Sequence, residues 1–227
     1  MSLPNPDRIV KLTGIYLNRY ESIPGSAPKE PLIAADSYDK WFNGMFRQSL
    51  ESLLVIKGGR WAGAKEAAGI IRQSGLIVEN GAAEILGLAV SDWVTANYPK
   101  FWLQGLELWK INKEMQGINP PRKVAVTVQE SDHVVMLATT EIATMQDHLA
   151  RHRRHIERMV GAGIARQWTT DRFMQAMTCP DGHIVGFSYG NSRYSWYEHM
   201  RRMIVGRSRM VAQSANEYRH FMEAANG

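Results

Sequence analysis

The sequence predicts a mainly α fold: an irregular multi-helix domain with a long helix in its C-terminal half and a small β-hairpin. Three observations carry that expectation. Apolar residues recur at intervals of three and four along most of the chain, the spacing that gathers side chains on one face of a helix. Breaks rich in Pro, Gly and Asn are few and fall between those periodic runs. Alternation of the strand type is confined to Lys123–Val128 (KVAVTV) and to short segments near Pro180-Asp181-Gly182.

Taken in order, a first helix is expected from Asp7 to Glu21, with Ile9, Leu12, Ile15 and Tyr16 on one stripe. Pro24-Gly25-Ser26-Ala27-Pro28 then ends it. Asp36 or Ser37 can cap a second helix carrying Trp41, Met45, Phe46, Leu50, Leu53 and Leu54, closed by Gly58-Gly59. Arg60 to Gln73 is rich in Ala and Gly, which allows close helix approach while weakening the helix itself. A further helix spans Glu79 to Tyr98, and Pro99 either interrupts it or opens the next one, Phe101 to Met115. Trp102, Leu106, Trp109 and Lys113 share a face there.

Asn119-Pro120-Pro121 is the clearest break. It divides an N-terminal helical region, 1–118, from an Arg-rich helical region with a short hairpin, 119–227, the alternative being one continuous domain. KVAVTV is either a short strand or an extended linker. The long helix follows from Ser131 to Val160, with Gly161 and Gly163 as its stop, and Thr169 or Thr170 caps a short helix containing Phe173, Met174 and Met177. Pro180-Asp181-Gly182 is the turn signal of the expected hairpin ending at Tyr189. The last helix runs from Tyr194 to Ala225, with Met200, Met203, Ile204, Val211 and Ala215 as its apolar stripe.

Composition bounds the class. At 227 residues, 44% apolar and 22% charged, the chain can bury a core and is not of the disordered type. A single cysteine, Cys179, precludes an internal disulfide and fits a reducing cytoplasm. No stretch approaches 18 apolar residues, and Met1–Pro6 lacks the basic and apolar blocks of a signal peptide. Synthesis in the cytoplasm without a membrane partner is therefore the expectation.

The charge is unevenly placed. All of the net +5 falls between Asp147 and Gly227, where twelve arginines and no lysines face seven acidic residues. Guanidinium is planar, permanently charged and able to grip phosphate or carboxylate with two parallel donors. Arg151, Arg154, Arg158, Arg193, Arg201, Arg202, Arg207 and Arg209 are the candidate contacts to nucleic acid or an acidic partner, with Tyr194, Trp196 and Tyr197 as interface aromatics. A solvated helix surface is the plain alternative for the arginines, and the core for the aromatics.

No catalytic motif in the sequence is strong enough to name an enzyme. His148, His152 and His155, at i, i+4 and i+7, lie within a sector about 60° wide and are the candidate metal ligands, with Glu141 as a possible aid. Arg151, Arg153, Arg154 and Arg158 crowd the same turns and oppose a cation, and Leu149 stands where a zincin motif needs Glu. Cys179 and His183 flank the turn without a third group at a diagnostic spacing. Gly58–Lys65 lacks the Gly-Lys-Ser/Thr ending of a phosphate loop. No catalytic residue and no cofactor is assigned.

Four segments in order carry a family resemblance: Tyr98 to Ile118, the long helix Thr139 to Val160, Gly161 to Met177 (GAGIARQWTTDRFMQAM), and Arg193 to Arg219. Their succession resembles the helical part of the phage head-morphogenesis proteins, the Mu F-like minor head proteins. The run Arg202-Met203-Ile204-Val205-Gly206-Arg207-Ser208-Arg209 is similar to that family's arginine-bearing helix, although Gly206 interrupts it and Ser208 stands where Thr is common. The resemblance implies a non-enzymatic virion component near the portal or inner capsid. It would be part of an oligomeric assembly, with portal or capsid proteins as partners and its arginines toward packaged DNA or an acidic surface. A nucleic-acid-binding helical protein outside a virion and a metal-dependent enzyme using the histidine-rich helix are the alternatives.

Overall fold

In a computed structural model, the described residues are 5–26, 29–55, 84–166, 168–180, 182, 187–189 and 192–226. They form α1 (Pro6–Ser22), a 3-10 turn (Ile23–Ser26), α2 (Glu30–Val55), α3 (Glu84–Met115), α4 (Val128–Ala165), α5 (Thr170–Met177), the strands β1 (Phe187–Tyr189) and β2 (Ser192–Tyr194), and α6 (Trp196–Asn226). The fold is mainly α with one short strand pair, as the periodicity predicts. Gly58-Gly59, the Ala- and Gly-rich stretch and His183 lie outside the described residues.

Local chemistry sets the helix ends. Asn5 caps α1 by accepting from the Asp7 N–H at 3.0 Å, and Pro6 occupies the first turn, where its missing N–H leaves no bond unmade. α2 begins at Glu30, before the Asp36 and Ser37 proposed as caps. α3 closes on Gly117, whose φ of 76° admits the left-handed turn, and Ile118 N–H and Gly117 N–H bond back to Lys113 and Glu114 carbonyls at 2.9 and 3.0 Å.

Two sequence expectations are corrected and one alternative is decided. Pro99 neither ends nor opens a helix but lies inside α3. A proline in mid-helix costs about 3 kcal/mol, and burial of Trp93, Val94, Tyr98, Phe101 and Trp102 on both sides of it offsets that. Of the two readings of KVAVTV the linker holds: residues 123–127 form no strand and lead to Thr127, the cap of α4. Gly161 and Gly163 do not stop α4, which continues to Ala165. Gly163 instead seats the Phe173 ring: a Cβ there would lie 2.1 Å from Phe173 Cε1.

A strand pair is present, later in the chain than expected. Phe187 pairs with Tyr194, Ser188 with Arg193 and Tyr189 with Ser192. Pro180-Asp181-Gly182 marks a separate turn, in which Gly182 N–H donates to the Cys179 carbonyl at 2.9 Å.

Two compact units arise, and neither coincides with 1–118 or 119–227. The first comprises residues 1–28, 91–141 and 202–227, and the second 29–90 and 142–201. The proline break does not separate them, because helices far apart in sequence bury their apolar faces together. In the first unit, Trp102, Leu106 and Trp109 of α3 and Val211, Ala212 and Ala215 of α6 are buried. A polar network joins α1, α3 and α6: Asn112 donates to Asn216 at 3.1 Å, Asn216 donates to the Tyr16 hydroxyl at 3.4 Å, and Tyr16 donates to Gln213 at 3.3 Å. In the second unit, Tyr38, Phe42, His152, Phe173, Met177 and Trp196 are buried.

A candidate basic interface

α4 presents the arginines in a line. Arg151, Arg154 and Arg158 follow the spacing i, i+3, i+7, share one face and are exposed. Asp147, one turn ahead, pairs with Arg151 at 2.6 Å and lies 3.9 Å from Arg154. Arg158 donates from Nε to the Arg154 carbonyl at 3.2 Å, a contact that orients the guanidinium without neutralising it. Arg193 on β2 donates to the Ala176 carbonyl at 2.5 Å. Arg166 and Arg172 add to this unit's basic surface, their guanidiniums 5.9 and 5.8 Å from the centre of the Trp168 ring.

The three histidines of α4 have different environments. His152 is buried, and its Nδ1 accepts from the Trp196 indole N–H at 3.3 Å and lies 3.3 Å from the Tyr38 hydroxyl. An indole N–H only donates, so Nδ1 is its acceptor and the ring is committed within the core. His148 Nδ1 stands 3.2 Å from His199 Nε2 of α6, so the pair shares one hydrogen. His155 is half-buried; burial lowers its pKa, and the charges of Arg158 and Arg193 lower it further. Among the described residues, no three His, Cys, Asp or Glu side chains gather as a metal site requires.

Of the three proposed interface aromatics, only Tyr197 is exposed. Tyr194 is half-buried, and Trp196 is fully enclosed between Tyr38, His152 and His199, which removes it as a surface anchor. Trp196 begins α6, and its backbone shows why it is inside. Asp39 of α2, 2% exposed, accepts from the Trp196 and Tyr197 N–H groups at 3.0 and 2.8 Å, while Ser195 Oγ accepts from Glu198 N–H at 3.1 Å. The helix N-terminus is thus filled by a carboxylate from the chain itself. Arg201 is held in a two-point fork by Glu198, at 2.8 and 2.9 Å.

No family model, no curated protein and no solved structure matches this chain. The assignment of arginines therefore rests on their surroundings alone.

In the first unit the arginines are largely structural. Arg207 pairs at 2.7 Å with Glu141, which is buried beside Tyr98. Burial pushes the Glu141 carboxyl up against the opposing pull of Arg207, and pushes the Tyr98 hydroxyl well above its ordinary value. Glu141 is thus tied to an arginine rather than to a histidine. Arg209 lies over the Tyr20 ring, 5.5 Å from its centre. Arg202 is exposed.

Arg219 is the most tightly committed of the described arginines. It grips Glu130 at 2.5 and 2.6 Å and also donates to the Ala125 carbonyl at 2.6 Å. Glu130 in turn accepts from Thr127 N–H at 2.8 Å, and Thr127 Oγ1 accepts from Glu130 N–H at 3.2 Å, a reciprocal capping box. The signal was present in Thr127-Val128-Gln129-Glu130, ahead of the apolar run. These groups border a cavity of about 560 Å³ that Lys113 and Glu223, themselves an ion pair, also line. Its charges are matched in pairs, so it offers a ligand no uncompensated charge. The candidate surface for an external partner is the exposed, net-basic one of the second unit, with the arginines of α4, α5 and β2.

Proposed function

We propose that this protein is a non-enzymatic structural or assembly component of a phage particle, acting near the portal or inner capsid, and that the α4 arginine face meets an acidic partner or DNA. The order of helical segments resembling the head-morphogenesis proteins supports the setting. The observation that carries the contact is the exposed line Arg151, Arg154, Arg158, for which Asp147 is the carboxylate in ion-pair range among the described residues. Exposed pairs of this kind contribute little to folding, so an external anion can replace the internal one at low cost. Between residues 142 and 201 eight arginines face five acidic residues, and a field of that sign favours association with polyanions.

The test is incorporation. Particles purified from the phage encoding a tagged copy are expected to retain the chain at fixed stoichiometry through a density gradient. A chain recovered only as a compact monomer, and that binds neither portal, capsid nor DNA at low salt, would end this reading. Retention of DNA binding without incorporation would favour a nucleic-acid-binding protein outside the virion, which the same arginines would serve.

A further inference from the structure

We propose that Trp168, with Arg166 and Arg172 gathered on its ring, is a platform for single-stranded nucleic acid. A base packs against the indole, and the flanking phosphates take the two guanidiniums. The platform belongs to the same unit as the α4 arginines. It rests on the reading of that unit's basic surface as one for a polyanion, and it commits the polyanion to a nucleic acid with unpaired bases.

The turn from α4 to α5 fixes the ring. The Trp168 N–H donates to the Gly163 carbonyl at 2.9 Å. Gly163 also leaves the space that the indole occupies, since a Cβ there would lie 2.9 Å from Trp168 Cε3. Phe173, wholly buried, meets the indole nearly at right angles, with the ring centres 5.4 Å apart. Trp168 is thus held by the core while remaining only half-buried itself. A ring already held in place gives up little freedom when a ligand packs on it.

Two cations share that ring. The Arg166 and Arg172 guanidiniums stand 5.9 and 5.8 Å from its centre, so they can be no farther apart than the sum of those distances. Both arginines are exposed. The indole attracts each of them and so keeps two like charges near one another. Arg172 donates to the neutral Gln175 amide oxygen at 2.9 Å, and among the described residues neither guanidinium pairs with a carboxylate. Arg151 and Arg201 differ in this respect, having Asp147 and Glu198.

A fixed aromatic ring beside permanent cations suits nucleic acid better than an acidic protein surface. Every base has a face that packs on an aromatic ring, and the phosphates next to it accept paired donors from guanidinium. Carboxylates would use the arginines and leave the indole without a partner. Bases within a duplex are stacked on one another, whereas those of a single strand can be splayed onto a side chain. Asp171, the one acidic residue between 158 and 180, adds no ion pair among the described residues.

The full chain is titrated with four labelled probes: a short oligothymidylate, an abasic strand of the same length, the matching duplex and poly-glutamate. Anisotropy of the label reads affinity, and tryptophan emission reads stacking. Oligothymidylate is expected to bind most tightly and to quench the emission. The abasic strand, with the same phosphates, should bind about fivefold or more weakly, the scale of one lost base stack, without that quench. Trp168→Leu should lose the quench and a similar factor for oligothymidylate while leaving the abasic strand unaffected. Trp168→Phe, which keeps an aromatic face, should recover most of the affinity. Arg166→Gln and Arg172→Gln should each weaken both strands, with a salt slope shallower by about 0.7. Arg151→Gln should leave the quench in place. Circular dichroism confirms that each variant is folded, and the comparison of oligothymidylate with the abasic strand needs no variant.

The platform is overturned if oligothymidylate and the abasic strand bind alike, or if Arg166→Gln and Arg172→Gln bind as wild type does; the α4 face would then stand. Tighter binding of the duplex overturns the single strand as occupant, and equal or tighter binding of poly-glutamate overturns nucleic acid. Absence of any binding removes the platform, and removes DNA from the broader reading while leaving particle incorporation to be judged separately.

Discussion

Gly105 of α3 and Ala212 of α6 meet so closely that a Cβ on Gly105 would stand 2.0 Å from the Ala212 carbonyl oxygen and 2.7 Å from the Ala215 Cβ. The neighbouring oxygen is backbone and cannot turn aside, so Gly105→Ala must push the helices apart within the first unit. A loss of about 1–3 kcal/mol or more is expected, read as a lower urea midpoint. Gly161→Ala is the control: that glycine is exposed on α4 with open space where its Cβ would go. It should gain roughly 0.5–1 kcal/mol from the restricted unfolded chain and better helix propensity. Equal midpoints for Gly105→Ala and wild type would refute the close crossing.

The clasp of Arg219 on Glu130 should be among the costliest polar contacts to break. The Glu130 side chain is fully buried and Arg219 is 20% exposed, so removing the cation strands a carboxylate away from water. Arg219→Met is expected to lose about 3 kcal/mol. Thr127→Ala, which removes the hydroxyl of the capping box, should lose about 1 kcal/mol. Adding Glu130→Gln to Arg219→Met should recover part of the loss, since the charge no longer needs a partner. Strict additivity in that double-mutant cycle would show that the two side chains are not coupled.

Asp39 makes a parallel prediction for the second unit. It accepts from two N–H groups at the start of α6 that have no partner within the helix. Asp39→Ala leaves both without that acceptor, the Trp196 N–H in a buried position, and is expected to cost about 2 kcal/mol, whereas Asp39→Asn keeps one acceptor and should fall between it and wild type. Hydrogen exchange at Trp196 and Tyr197 reads the effect locally; unchanged protection in Asp39→Ala would contradict the assignment.

Glu141 and His155 give pH dependences of opposite sign. Burial raises the folded-state pKa of Glu141 above its ordinary 4.5 despite Arg207. A group raised on folding stabilises fully below its unfolded value, and that contribution disappears as pH rises through the folded value. Glu141→Gln should therefore gain relative to wild type as pH rises above 4.5, measured as the difference in urea midpoints. A difference independent of pH would count against a raised carboxyl.

For His155 the folded-state pKa lies below 6.5, lowered by burial, Arg158 and Arg193. Its contribution is present above 6.5 and lost as pH falls through the folded value. His155→Asn should flatten that part of the acid limb. If the wild type and the variant lose stability in parallel below that pH, the imidazole is not the group responsible.

How much was legible in advance differs by residue. The apolar stripe Met200, Met203, Ile204, Val211 and Ala215 is buried as its spacing requires, and Trp102, Leu106 and Trp109 face inward together. Those are consequences of one helix's own period. Between surface and core for Trp196, and between metal ligand and buried ring for His152, one helix's period does not choose; the contact that places both inside joins residues 44 apart. The capping box at Thr127 was readable, but its third member, Arg219, stands 89 residues from Glu130.

The sequence by itself determined that the chain is mainly helical, where its apolar faces lie and that its excess charge is arginine. Each follows from composition or from contacts within a few residues, and the helical period is a local property. Tertiary structure alone decided which arginines stay outside. Arg207 and Arg219 resemble Arg151 and Arg158 in the sequence, yet the former meet buried glutamates and the latter remain exposed. Charge pairing acts through space, so whether an arginine is part of the fold or available to a partner depends on helices the chain brings together only when folded.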